Sequence, residues 1–219
     1  MKVIVIGLGH IGVVTVAALV RDGHAVIGVD TDDEICRSLT RGVSSFREPG
    51  VQDLIASGHA AARLTVASTL GDAADAYAAF VCVGTKGLPG GLLDLSDVTL
   101  AARALGEAVR LRPPELAPML MVFRSTMLPG SMRRTVLPAV AAAAGEPPGT
   151  RYEIAYGPEF TREGTALADT SPRRGLWSAK AGHEVDKSCS TSWHRGANFL
   201  DLVRGRRAHE ACGQILSRA

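Results

Sequence analysis

Short apolar runs and amphipathic stretches alternate along the first three quarters of the chain. Residues 2–6, 25–29, 64–67, 79–83, 119–123 and 152–155 read as strands. Several are nearly continuous apolar text, the pattern of strands covered on both faces of a parallel sheet. Between them, residues 11–22, 32–41, 51–57, 97–110 and 131–143 carry helical spacing of apolar positions. Gly23 is placed to end the first helix in a left-handed conformation, and Ser96 to cap the fourth. The alternation predicts an α/β fold, a Rossmann-type doubly wound and mainly parallel sheet of about six strands. After Pro172 the rhythm stops, and only residues 199–203 read as a core segment.

Composition adds a boundary. The 219 residues are 46% hydrophobic and 21% charged, ordinary for a globular domain with a real core. The net charge of +2 hides an asymmetry. Residues 173–219 hold nine of the 24 basic and four of the 22 acidic side chains, a balance of +5, against −3 for the rest. Both tryptophans lie in that tail. The expected division is therefore a domain over 1–172 and an atypical basic tail over 173–219. The opening apolar runs are too short for a signal peptide or a membrane span. The cysteines at 36, 82, 189 and 212 show no metal-ligand spacing, and Cys82, inside an apolar run, reads as a buried free thiol. A cytoplasmic protein without a metal is the expectation.

The first strand runs into Gly7-Leu8-Gly9-His10-Ile11-Gly12, and a helix follows. Gly7 serves the tight turn, Gly9 the close approach of a diphosphate, and Gly12 the packing of helix on strand. The helix start then offers N–H groups and its partial positive charge. Asp30 ends the second strand, 18 residues beyond Gly12, where a carboxylate accepts from the adenosine ribose hydroxyls and repels a 2′-phosphate. These residues point to NAD rather than NADP; FAD shares the glycine pattern and stays open. The backbone of Leu8, His10 and Ile11 belongs to the phosphate loop. The His10 side chain is read as a solvent-facing filler, with a catalytic role as the alternative.

Five further segments narrow the reading: Arg47-Glu48-Pro49-Gly50, Val81-Cys82-Val83-Gly84-Thr85, Asp94-Leu95-Ser96, Arg124-Ser125-Thr126-Met127-Leu128-Pro129-Gly130, and Gly157-Pro158-Glu159-Phe160-Thr161-Arg162-Glu163-Gly164. In this order and spacing they resemble the nucleotide-sugar 6-dehydrogenases, the UDP-glucose/GDP-mannose dehydrogenase family, over residues 1 to about 170. The resemblance implies that Val83, Gly84, Thr85 and Ser125 contact NAD, and that Glu163 borders the nicotinamide. It implies that Thr126 and Glu159 hold the catalytic water and handle protons, and that Phe160, Thr161 and Arg162 lie along the nucleotide sugar. Arg124 and the Leu-Pro-Gly version of the fifth-strand signature lean toward the GDP-mannose branch. Without the motif, Glu159 and Glu163 would read as a solvated pair of loop carboxylates.

The family oxidises the sugar C6 alcohol to a carboxylate by two NAD-dependent hydride transfers, through a cysteine-bound thiohemiacetal and thioester. Its nucleophile lies in a G-G-x-C-x-P-K-D segment beyond a long central helix, and neither Cys189 nor Cys212 sits in such text. The expectation is a truncated, inactive NAD-binding fragment of an oxidoreductase. The alternative is a stand-alone dinucleotide-binding or regulatory module. Its partner would be a nucleotide sugar, with neither nucleic acid nor membrane. The family's homodimer is built through the central helix, so a monomer or ill-defined association is expected, with apolar surface left exposed. Smaller departures are Gly157 for the usual Asn or Ser, Thr161 for Leu, Lys86 for Pro, and Ile35 where a cation often lies near the ribose. For the tail, a change of translation frame after Pro172 is one reading. The degenerate codons of residues 207–213, taken one base later, permit Glu-Leu-Met-Lys-Leu-Val-Ala, which resembles the family's central helix. A basic nucleic-acid-binding tail, a disordered linker and an unfamiliar structured extension are the rivals, and the gene's nucleotide sequence settles whether the frame shifts.

Overall fold

The computed structural model describes residues 1–71, 73–170 and the backbone of 180–181. The tail features named above, including segments 199–203 and 207–213, Cys189, Cys212, Trp177 and Trp193, lie outside the described residues, as does the expected boundary at 172. In chain order come β1 (Lys2–Ile6), α1 (His10–Arg21), β2 (Ala25–Val29), α2 (Asp33–Thr40), α3 (Val51–Ala60), β3 (Leu64–Ala67) and β4 (Ala78–Val81). A two-residue hairpin follows, β5 (Lys86–Gly87) with β6 (Leu93–Asp94), then α4 (Ser96–Arg110) and β7 (Met119–Phe123). A π-helical turn, Met132–Val136, leads into α5 (Leu137–Ala144), and β8 (Tyr152–Tyr156), α6 (Ala166–Asp169) and β9 (Lys180–Ala181) complete the order.

Six strands pair in parallel in the order β3-β2-β1-β4-β7-β8, and β9 adds an antiparallel edge to β8. The period of two decides the layering. Val3 and Val5 join α1, α2 and α3 in one core layer, whereas Ile4 and Ile6 join α4 and α5 in the other. Every residue of β4 is buried, as continuous apolar text predicts for a central strand.

Local chemistry explains the boundaries. Gly23, at φ +84, stops α1 as expected, with the His24 N–H returning to the Leu19 carbonyl. The cap of α4 differs: Ser96 is already helical, and the Asp94 carboxylate accepts from the Ser96 N–H at 2.9 Å. That bond, to the N–H two residues on, is one a short acid at a turn commonly makes. The helix expected over 131–143 opens as a π turn. At the opposite edge of the sheet, Arg112 is buried and donates to the carbonyls of Ala74, Ala76 and Ala117.

Candidate functional site

Strand register brings the expected motifs to one edge. Val29 pairs with Ile6, Ile6 with Val81, Val81 with Phe123 and Phe123 with Tyr156, a single row across five strands. The residues that follow this row are Asp30, Gly7, Cys82, Arg124 and Gly157. Each of those segments therefore starts where its strand ends, at the carboxyl edge where open α/β sheets take ligands.

A groove of about 730 Å3 opens along this edge, lined among others by Gly7, Gly9, Asp30, Ile35, Leu70, Val83, Gly84 and Leu100. Its lining is mostly apolar, with polar side chains at Asp30 to Asp32, Ser68, Thr69, Asp97 and Glu107, a mixture suited to a flat heterocycle joined to a polyol. Gly7 sits at φ +87, and a Cβ there would stand 2.7 Å from the Val83 nitrogen. A Cβ on Gly12 would land on the Gly7 carbonyl oxygen. Gly9 differs: a Cβ would meet no protein atom within 4 Å. The fold itself thus requires Gly7 and Gly12, while Gly9 keeps clear a space above the first turn of α1, whose N–H groups have no earlier carbonyls to receive them. That is the shape of a diphosphate cradle.

Asp30 faces the groove and is held by its neighbours. Its Oδ2 accepts from the Leu8 N–H at 2.5 Å and its Oδ1 from the Asp32 N–H at 2.9 Å. A carboxylate has about four acceptor sites, so two remain for ribose hydroxyls. The Ile11 carbonyl accepts from the Thr15 hydroxyl at 2.7 Å.

Toward β7 and β8 the polar groups bind one another. Ser125 is buried, and its hydroxyl donates to the Val83 carbonyl at 2.7 Å. The Thr85 hydroxyl donates to the carbonyl of exposed Thr126 at 3.0 Å. Glu159 is no solvated loop acid: its side chain is 13% exposed and ion-paired with buried Arg124, and its Oε1 accepts from the Phe160 and Thr161 N–H groups. Arg124 also donates to the Thr15 hydroxyl at 2.6 Å. Cys82 is a free cysteine as expected, yet half-buried, lying on the groove wall. Burial pushes its thiol up, with Arg124 and Thr15 pulling the other way.

The expected site residues do not all meet. Gly7, Gly9, Asp30, Val83 and Gly84 line the groove; Thr85 bonds to Thr126 and Ser125 to Val83; Glu159 pairs with Arg124; and Phe160 and Glu163 stand exposed. His10 is not a solvent-facing filler. Its Nε2 lies 3.2 Å from the buried Glu48 carboxylate, and its ring packs edge-on against Phe46, because the first residue of α1 faces the Arg47-Glu48-Pro49-Gly50 turn. Arg162 is held back by Asp169, to which it gives its N–H and two guanidinium bonds. Sequence marked Glu48 only as part of the Arg47-Glu48-Pro49-Gly50 segment and Asp169 not at all, since both take their partners through folding. Among the described residues no His, Cys, Asp and Glu group could hold a metal ion.

Asp169 makes a pH prediction. Its hydrogen bonds from Arg162 lower its pKa from the ordinary 3.8 to about 2, against the effect of burial. The folded value is the lower one, so its stabilisation is fully present above 3.8 and is lost as pH falls toward 2. In thermal unfolding between about pH 5 and about pH 2, Asp169→Asn is expected to flatten the decline of Tm. Parallel curves for the two proteins would contradict this.

The NAD-binding domain of the UDP-glucose/GDP-mannose dehydrogenase family matches residues 1–176. The chain is 34% identical over 170 residues to a GDP-mannose 6-dehydrogenase of Pseudomonas aeruginosa and 32% identical over 169 residues to a UDP-glucose 6-dehydrogenase of Haloferax volcanii. Each alignment covers 77% of this chain and 38% of the relative, so the chain spans well under half the relatives' length. The crystal structure of a ternary complex of the Pseudomonas GDP-mannose dehydrogenase superposes with a TM-score of 0.72 over 77% of this chain and 38% of that one, at 34% identity. A UDP-glucose dehydrogenase from Pyrobaculum islandicum superposes at 0.73 over 83% and 40%, at 36% identity.

Proposed function

The chain belongs to the UDP-glucose/GDP-mannose dehydrogenase family, and from that membership we propose that it is the NAD-binding part of an enzyme that oxidises a nucleotide sugar at C6 to the uronate. GDP-mannose is the favoured sugar nucleotide and UDP-glucose the other. The observation that carries this reading is the single row of strand ends, which sets Gly7, Asp30, Cys82, Arg124 and Gly157 side by side.

NAD, when bound, supplies the hydride acceptor. The chain's own residues do the rest. The space above Gly9 admits the diphosphate, and Asp30 takes the ribose hydroxyls. Through the Val83 and Thr126 carbonyls, Ser125 and Thr85 pin together the loops that flank the nicotinamide end. Glu159, fixed by two amides and Arg124, is suited to orienting water from a constant position. Glu163 borders the nicotinamide, and Phe160, Thr161 and Arg162 line the sugar nucleotide. Leu88, Leu92, Leu128 and Phe160, all exposed and all beyond strand carboxyl ends, support closure of this edge by a second domain.

The 219 residues hold no G-G-x-C text, so we expect binding without turnover from this chain alone. We read it as cytoplasmic, a monomer or ill-defined in its association, engaging a nucleotide sugar rather than nucleic acid; among the described residues no helix is long and apolar enough to cross a membrane. Calorimetry should show NAD binding at least about tenfold tighter than NADP. Asp30→Ala should narrow that gap, because the acid that repels a 2′-phosphate is gone. Equal affinities in the unaltered chain would overturn the role of Asp30. NADH formed from GDP-mannose or UDP-glucose by the chain alone would overturn the absence of turnover.

A further inference from the structure

The turn between α2 and α3 carries an acid that the reaction does not use. Glu48 has its side chain 1% exposed, deep enough that an unpaired carboxylate would be prohibitive. Its Oε1 accepts from the Ala166 N–H at 2.8 Å and its Oε2 from the Gly164 N–H at 2.9 Å. The same Oε2 lies 3.2 Å from His10 Nε2. One carboxylate thereby joins three segments far apart in sequence: the first residue of α1, the turn before α3, and the end of the loop that begins at Glu159. Burial opposes its charge, and the two amides and His10 outweigh that, holding its pKa below the ordinary carboxylate value.

The placement of the three partners gives this arrangement a purpose. His10 opens the helix whose first turn borders the diphosphate space. Gly164 follows directly on Glu163 and Ala166 two residues later, closing the loop whose other end holds Glu159. A ligand that fixes the start of α1 fixes the His10 ring, which is also held edge-on by Phe46 at 6.0 Å. A fixed ring fixes Glu48, and Glu48 fixes the two amides. Apolar packing would serve a plain turn equally well; a buried acid with every oxygen engaged gives a single geometry.

We propose that Glu48 is a positioning residue that, through His10, couples occupation of the diphosphate loop to the ordering of the 159–166 loop. The coupling is reciprocal, so whatever orders that loop also tightens NAD binding. The inference rests on reading the 159–166 loop as part of the reacting end.

The Gly164 and Ala166 N–H groups report on the coupling directly, because they are the donors to Glu48. Amide hydrogen exchange of the full chain is measured with and without saturating NAD, alongside calorimetry on the same samples. In the unaltered chain NAD should slow both amides about tenfold, within the usual range of coupling between sites. His10→Ala removes the imidazole and keeps the loop backbone; at an NAD concentration that calorimetry shows to saturate this variant, the slowing should fall below about twofold. His10→Gln, which keeps an N–H donor, should restore most of it. Glu48→Gln should speed exchange of both amides even without NAD. Should Glu48→Gln fail to fold, the two His10 variants decide the matter. NAD bound with no slowing in the unaltered chain, or full slowing in His10→Ala, overturns the coupling. Failure of the functional reading looks different: Glu159→Gln in a catalytically complete relative bearing this domain would keep full activity while the exchange result stood.

Discussion

Gly9→Ala is expected to fold like the unaltered chain and to lose NAD affinity about tenfold to a hundredfold, the equivalent of about 1–3 kcal/mol of overpacking against the ligand. Gly9 has φ −64 and ψ −172, a conformation alanine adopts without strain, and a Cβ there meets no protein atom within 4 Å. Protein packing therefore gives no reason for glycine at this position, and the ligand alone needs the room. Gly12→Ala is the opposite case. Its Cβ would fall on the Gly7 carbonyl oxygen, and Gly7 cannot move away because it is wedged against the backbone of Cys82 and Val83. A clash between backbone atoms cannot be relieved by a side-chain rotation, so the cost is about 3 kcal/mol or more. That is a large part of the ~5–15 kcal/mol that holds a domain together. Thermal unfolding and calorimetry on the two variants separate the roles. Unchanged NAD affinity in Gly9→Ala would show that no diphosphate lies over that residue.

The two glycines also show which parts of this molecule could be read from sequence. A requirement carried by one residue and its immediate chain neighbours leaves a local mark, as Gly7, Gly12 and Gly23 do. The strands were legible for a related reason: burial on both faces writes nearly continuous apolar text, and 2–6 and 119–123 match β1 and β7 to the residue, as do 25–29 and the edge strand 64–67 for β2 and β3. Resemblance singled out the segments that hold Asp94, Arg124 and Glu159 but could not say what these side chains touch. Elements too short for a period to develop escaped altogether, namely the β5–β6 hairpin and α6. So did the π turn at Met132–Val136, whose register differs from an α-helix by one residue per hydrogen bond. Glu48 meets its amide partners across 116 and 118 residues of chain. Its burial exists only once α1, α3 and the 159–166 loop have packed, so nothing in Arg47-Glu48-Pro49-Gly50 announces it. His10 was misread for the same reason. The side chain of a tolerant position in the glycine loop acquired its role from a neighbour that sequence places 38 residues away.

Arg124→Met is expected to cost about 3–5 kcal/mol, the usual consequence of stranding one member of a buried ion pair. In a domain of this size that lowers Tm by about 6 to 20 °C. Arg124 is 3% exposed, and burial pushes its guanidinium below the ordinary value, with the Cys82 thiol acting the other way. Its charge is therefore kept at a cost, offset by Glu159 on one nitrogen and the Thr15 hydroxyl on another. Without the guanidinium, the Glu159 carboxylate retains the Phe160 and Thr161 amides on Oε1, but Oε2 faces an apolar methionine. Glu159→Gln should be similarly costly, because it presents an amide where the cation needs a charge. The double variant Arg124→Met/Glu159→Gln is the informative one. With neither charge present no uncompensated ion is left inside, so its loss should be well below the sum of the two single losses, a coupling of about 1–3 kcal/mol. Double-mutant thermal unfolding at pH 7 measures this. Strict additivity would mean that the pair is only a neighbourly contact, and that Glu159 is held by its two amides alone. A coupling of the expected size would instead make Arg124 the reason a carboxylate can stay charged and motionless at the end of β8, which is what orienting a water there demands.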